Sequence, residues 1–195
     1  MPIFDVNKTR QLIEQRRSIK PKNFSTKKVD KSIIDELLNA ANWAPTHAFT
    51  EPWRFDVFTG DALQELAAFQ SELYKKLSTT DQYKEDKYLK LQKTPLLASH
   101  VISIGMKRQE CKRLPEFEEL AAVACAVQNM HLMATAHGLA AYWTSGGVTN
   151  YPEAKAFFNL EEDDQLLGFF YIGYPEGEWP TGKRKSSIDK KVNWR

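Results

Sequence analysis

The chain has 195 residues, 42% hydrophobic and 27% charged, enough apolar material for one sizeable core. Two cysteines exclude a disulfide scaffold or a cysteine-rich zinc domain, and fit a reducing compartment; 9 glycines and 9 prolines exclude a collagen-like or low-complexity chain. Net charge is +2 but uneven: residues 1–30 and 182–195 each carry +5, and residues 31–181 carry −8. So acidic a body argues against nucleic acid as a partner. Either the two basic ends are solvated tails, or they converge on one small anion. No apolar run approaches the ~20 residues that cross a bilayer, and the opening residues 1–10 lack an apolar signal core. A cytoplasmic protein is therefore expected, with no membrane partner.

Residues 6–16 read as a short helix running into Arg16-Arg17-Ser18. A second helix is expected over 30–43, capped by Asp30, striped by Ile33, Ile34, Leu37, Leu38 and Ala41, and stopped by Pro45. Residues 54–59 alternate like a half-buried strand, and Gly60-Asp61 turns out of it. A helix over 61–77 buries Leu63, Leu66, Ala67, Leu73 and Leu77. Residues 79–93 lack a wide apolar face and read as an exposed helix or excursion. Residues 96–106 make the best central strand, and 107–114 a charged loop. Pro115 opens the longest helix, which reaches about His137 with Gly138 as its stop. Its expected inner face is Ala121, Ala124, Cys125, Val127 and Met130. Strands follow at 139–144 and 166–174, with a short helix near 151–158 between them. Helices and strands mix without a regular βαβ beat, which favours one α+β layered domain over 1–195 rather than a doubly wound sheet.

Several motifs fail on inspection. Gly177 to Lys183 matches GxxxxGK, but Arg184 follows where magnesium needs Ser or Thr, and too little chain remains for the helix of a P-loop. His47, His100, His131 and His137 form no HExxH pair and no metal set with Cys111 and Cys125. His100, in an apolar strand, reads as a core histidine. There is no GxSxG elbow and no GxGxxG turn.

Four segments carry more. Arg16-Arg17-Ser18-Ile19-Lys20 places two guanidiniums, a hydroxyl and an ammonium just past a helix end, donors matched to phosphate oxygens. Ala44-Pro45-Thr46-His47 ends a helix on a polar pair, and Glu51-Pro52-Trp53-Arg54-Phe55 makes a rigid entry into a strand. Trp143-Thr144-Ser145-Gly146-Gly147 closes a strand with an aromatic, two hydroxyls and a flexible backbone. Donors, aromatics and glycine at loop ends suit a planar heterocycle with a phosphate tail.

Residues 16–20, 44–55, 98–104, 138–147 and 168–177, which include these segments, resemble the nitroreductase family of FMN-dependent oxidoreductases, across nearly the whole chain. The resemblance implies an α+β layered fold, an intertwined homodimer and FMN at its interface. It implies that Arg16, Arg17 and Ser18 hold the FMN phosphate and ribityl chain, and that Lys20 faces the flavin ring. It implies that His47 and Glu51 reach the partner subunit's flavin, and that Trp143, Thr144 and Ser145 lie beneath the ring. Lys183 and Arg184 would close on the phosphate. Glu51 departs from the family, which usually has Gln before Pro-Trp, and a carboxylate cannot donate as an amide does. The implied activity is transfer of two electrons from NADH or NADPH to a small organic acceptor such as a nitroaromatic or quinone, by a ping-pong route. FMN carries the chemistry and no acid–base side chain is required. The alternative is a flavin-binding protein with little reductase turnover.

Overall fold

The computed structural model describes residues 4–195. Asp5 starts helix α1 (Val6–Gln15) by accepting from the Asn7 and Lys8 amides. None of α1 is buried, and Phe4, Val6 and Ile13 stand exposed. Helix α2 (Lys31–Asn42) buries Ile34, Leu37 and Ala41 of its expected stripe. Asp30 occupies the cap position, but its carbonyl accepts from Ile33 and Ile34 while its carboxylate makes no capping bond.

The expected strand 54–59 is two strands, β1 (Trp53–Arg54) and β2 (Val57–Thr59). Asp56 interrupts the run: its amide donates to the Ser103 hydroxyl at 3.0 Å and its carbonyl accepts from the Ser103 amide at 2.9 Å. Helix α3 (Ala62–Leu77) follows, then α4 (Glu85–Lys93), which buries nothing. Strand β3 (His100–Met106) is buried along its whole length. Helix α5 (Glu116–Ala136) is the long helix, and Gly138 sits in the left-handed region just past it. Strands β4 (Ala140–Thr144) and β5 (Gln165–Gly173) complete the set, with 3-10 turns at Pro152–Phe158 between them.

The sheet order is β1-β3-β5-β4, all antiparallel, with β2 also on β3. Ser18 adds a parallel bridge to Ala141, so the basic N-terminal segment covers the free edge of β4. Strand alternation then divides the core. Ile102, Ile104, Phe170 and Ile172 face α2 and α5, whereas Val101, Phe169 and Tyr171 face α3. The architecture is α+β, a sheet between two helical layers.

The inner face of α5 differs from expectation. Val127 and Met130 are buried, but Ala121, Ala124 and Cys125 are exposed, and Ala122, Val123, Ala126 and Ala134 take the core positions. Both sides of this helix are small and apolar, so hydrophobicity did not distinguish them. At its start, the 1%-exposed Glu119 pairs with Arg108 and accepts from the Gln109 amide at 3.1 Å. That pair fastens the charged loop 107–114 to the helix.

Candidate functional site

The two basic ends meet. The Trp179 indole donates to the Gln15 carbonyl and the Arg17 Nε to the Pro180 carbonyl, each at 2.8 Å. Gly182 passes so close to the Arg17 guanidinium that a β-carbon there would overlap it. Arg16 and Arg184 are thereby brought together. Burial and then repulsion from Arg184 and Arg17 hold the Arg16 guanidinium below its usual pKa. Among the described residues, none of the six ion pairs uses Arg16, Arg17, Lys20, Lys183 or Arg184. Arg16, Arg17 and Arg184 thus form a cluster of cations with no ion-paired acid among the described residues.

The members of this cluster differ. The Arg17 guanidinium donates to the carbonyls of Glu14, Arg16 and Pro180, so it clamps the C-terminal segment. Arg16 reaches only the Ser18 hydroxyl, at 3.4 Å, and keeps free donors. Lys20, Lys183 and Arg184 are exposed. The backbone beneath is fixed twice: Ile19 donates to the Ala141 carbonyl at 2.9 Å, and the Nε2 of His131 donates to the Arg17 carbonyl at 2.9 Å. Burial pushes the His131 pKa down to about 4, so the ring is neutral at pH 7.

Along β4 from the bridge at Ala141, beginning at Tyr142, a cavity of about 230 Å³ opens between the sheet and α3–α4. Its walls include Gln70, Leu91, Thr144, Gly147, Phe169 and Tyr171. Gly147 has φ +76°, and a β-carbon there would press to 2.9 Å from Leu91, so glycine keeps the turn open beside the cavity. Thr144 accepts from the Gly146 amide at 3.3 Å, and Ser145 is exposed at the tip of the turn. Trp143 is turned the other way. It packs on the α2–α5 core, and its indole donates to the Leu167 carbonyl at 3.1 Å. Its ring is therefore not part of this cavity.

His47 and Glu51 lie elsewhere. His47 pairs through Nδ1 with Glu118 at 2.6 Å, at the N-terminal end of α5. Arg17 is held by His131, 13 residues along the same helix, so roughly 20 Å separates the two regions. Ala48, Phe49 and Glu51 all have positive φ (50°, 53° and 42°), a bent loop that leaves Phe49 88% exposed. The Glu51 carboxylate is exposed and makes no hydrogen bond. Arg54 donates to the Glu51 carbonyl at 3.0 Å, not to its carboxylate. Within one chain, Arg16, Arg17, Ser18 and Arg184 come together, and His47 and Glu51 do not join them.

Sequence reasoning missed Gln70, Tyr171 and the anchoring role of His131. Gln70 had a signal: it is a polar residue in the apolar stripe Leu63, Leu66, Ala67 of α3, at the i+7 position. His100, expected in the core, is buried and bonded to Ser99 at 3.0 Å. No cluster of metal-ligating side chains and no membrane-crossing helix occurs among the described residues.

Residues 13–174 match the model of the Nitroreductase family. YdjA of Escherichia coli (strain K12), which carries the provisional name NAD(P)H nitroreductase, is 28% identical over 144 residues, 73% of this chain and 76% of its own. A nitroreductase-like family protein from Bacillus cereus superposes with TM-score 0.79 and 27% identity, covering 100% of this chain and 98% of that one. A nitroreductase from Bacteroides fragilis solved with bound FMN shares the fold at TM-score 0.72 and 20% identity, over 97% of this chain and 100% of that one.

Proposed function

The chain belongs to the nitroreductase family, and from that premise we propose that it binds FMN and moves two electrons from NADH or NADPH to a small organic acceptor. The observation that carries this reading is the arginine cluster without an ion-paired acid beside the Ser18–Ala141 bridge, with a cavity opening further along the same strand. A terminal phosphate on a polyol arm, with a planar heterocycle at the far end, matches that layout. When bound, FMN supplies the hydride and electron chemistry itself.

The protein's residues then bind and orient. Arg16, Ser18 and Arg184 would hold the phosphate with charge-assisted donors, and Lys183 adds to the field. Arg17 contributes charge while clamping the C-terminal segment over the site. Lys20, next to Ile19 on the β4 edge, is the candidate cation for negative charge on the ring. Thr144, Ser145 and the Gly146-Gly147 backbone would face the ring edge. Trp143 supports β4 from the core side.

We further propose a homodimer. His47 and Glu51, roughly 20 Å from the cluster along α5, fit a role at the partner's site. Apolar surface supports an interface: Trp43 is 87% exposed and Phe49 88%, and Phe117, 66% exposed, lines a shallow groove with the small, exposed Ala121 and Cys125. Two such sites per dimer, each completed by the other chain, follow from two-fold symmetry.

The test is to titrate ligand-free protein with FMN and then add NADH or NADPH anaerobically. Saturable binding followed by bleaching of the flavin band, and recovery with a quinone or nitroaromatic, is expected. Binding without reduction would leave a flavin-binding protein and overturn the reductase reading.

A further inference from the structure

We infer that Lys87 and Lys90 of α4 form an anion subsite, separate from the arginine cluster, that takes a phosphate or carboxylate of the substrate exchanging electrons with the ring. This inference rests on the FMN reading above.

Both lysines line the cavity between the sheet and α3–α4, and both are exposed, so they stand where it opens to solvent. No Asp or Glu lines the cavity, and among the described residues neither lysine belongs to an ion pair. Asp86, one turn before Lys90 on α4, leaves it unpaired as well. Lys87 is held in place: its Nζ lies 4.3 Å from the centre of the Tyr74 ring, and Tyr74 is 1% exposed. The helix dipole accounts for a cation at Lys90, in the last turn of α4, but Lys87 lies before that turn and gains little from it.

The arginine cluster does not supply these cations. Arg16, Arg17, Ser18 and Arg184 do not line the cavity. FMN carries a single phosphate, and the cluster takes it, so the lysines answer to a second anion. Leu91 and Phe169 accept the flat part of a substrate, whose anionic group then meets the lysines at the mouth. Two sources share this chemistry: the phosphates of NADH or NADPH, and a carboxylate on the acceptor.

The test compares FMN-loaded wild type with Lys87→Gln/Lys90→Gln, and with Lys84→Gln/Lys93→Gln, which removes the same charge from the α4 region outside the cavity. The substrates are NADPH, NADH, para-nitrobenzoate and the neutral para-nitrobenzamide. In Lys87→Gln/Lys90→Gln, kcat/KM should fall about tenfold for an anionic substrate, mostly through KM, with no change for para-nitrobenzamide or for FMN affinity. Added salt should weaken wild type more than this variant, and Lys87→Arg/Lys90→Arg should restore the rate. A loss confined to NADPH assigns the contact to its extra phosphate, one shared with NADH to the pyrophosphate, and one for para-nitrobenzoate to an acceptor carboxylate. Calorimetric binding of NADP and para-nitrobenzoate to the loaded, oxidised protein reads the same contact without turnover. The inference is overturned by no loss for any anionic substrate, by an equal loss for para-nitrobenzamide, by an equal loss in Lys84→Gln/Lys93→Gln, or by a matching fall in FMN affinity; each of these leaves the FMN reading intact. A wild-type protein that takes up no FMN overturns both.

Discussion

Replacing Arg16 should separate two effects that usually travel together. Arg16 is half-buried, makes one long contact to Ser18, and is repelled by Arg184 and Arg17. Nothing acidic rewards its charge there, so Arg16→Ala removes repulsion and should leave stability level or slightly raised. In the loaded protein the same change deletes a charge-assisted bond to phosphate, which contributes about 1.5–3 kcal/mol. FMN affinity should therefore fall roughly 10- to 150-fold. Quenching of FMN fluorescence measures the affinity, and the urea midpoint of ligand-free protein measures the stability. Arg10→Ala is the control: it removes a charge of the same sign from exposed α1 and should change affinity only slightly. Equal losses from the two variants would mean that the basic ends act as a diffuse field. A large loss of ligand-free stability in Arg16→Ala would mean that the arginine is structural.

Three further outcomes follow from particular groups. His131, held neutral with a pKa near 4 against 6.5 when unfolded, favours the fold above pH 6.5 and loses that contribution as pH falls toward 4. Urea unfolding at pH 4.5 against pH 7.5 should show about 2–3 kcal/mol of it, absent in His131→Gln; an equal slope in the variant would remove His131 as the cause. Arg108→Ala leaves Glu119 buried and unpaired, so stability should drop by about 3–5 kcal/mol in urea unfolding, and a drop under 1 would show the pair to be dispensable. Glu51→Gln replaces an exposed, unpartnered carboxylate with an amide, and should raise the midpoint potential of bound flavin by tens of millivolts, where ~30 mV is about 1.4 kcal/mol for two electrons. An unchanged or lower potential in spectroelectrochemical titration would show that Glu51 does not face the ring.

What was legible in the sequence follows physical lines. The long helix announced itself through Pro115 and Gly138, and β3 through an uninterrupted apolar run. The charge map left two arrangements of the basic ends open, solvated tails or convergence on one anion, and only the bonds from Trp179 to Gln15 and from Arg17 to Pro180 show the two segments in contact. The buried face of α5 was misread because Ala121 and Ala122 are equally small, and only three-dimensional packing tells which meets the sheet. The orientation of Trp143 depended on the Leu167 carbonyl, a residue 24 positions away that no local pattern reveals. The separation of His47 from Arg17 arises from the length of α5, since its two ends are contacted by segments that both look like binding loops.

The central claim is that one FMN binds per chain at a site completed by a second copy. Light scattering of the purified protein, with and without stoichiometric FMN, tests it most directly. A dimer carrying two FMN, which loosens toward monomer when the cofactor is stripped, is the predicted result. A stable monomer holding one FMN at full affinity would contradict the shared site, and a colourless protein that takes up no FMN would contradict the claim altogether.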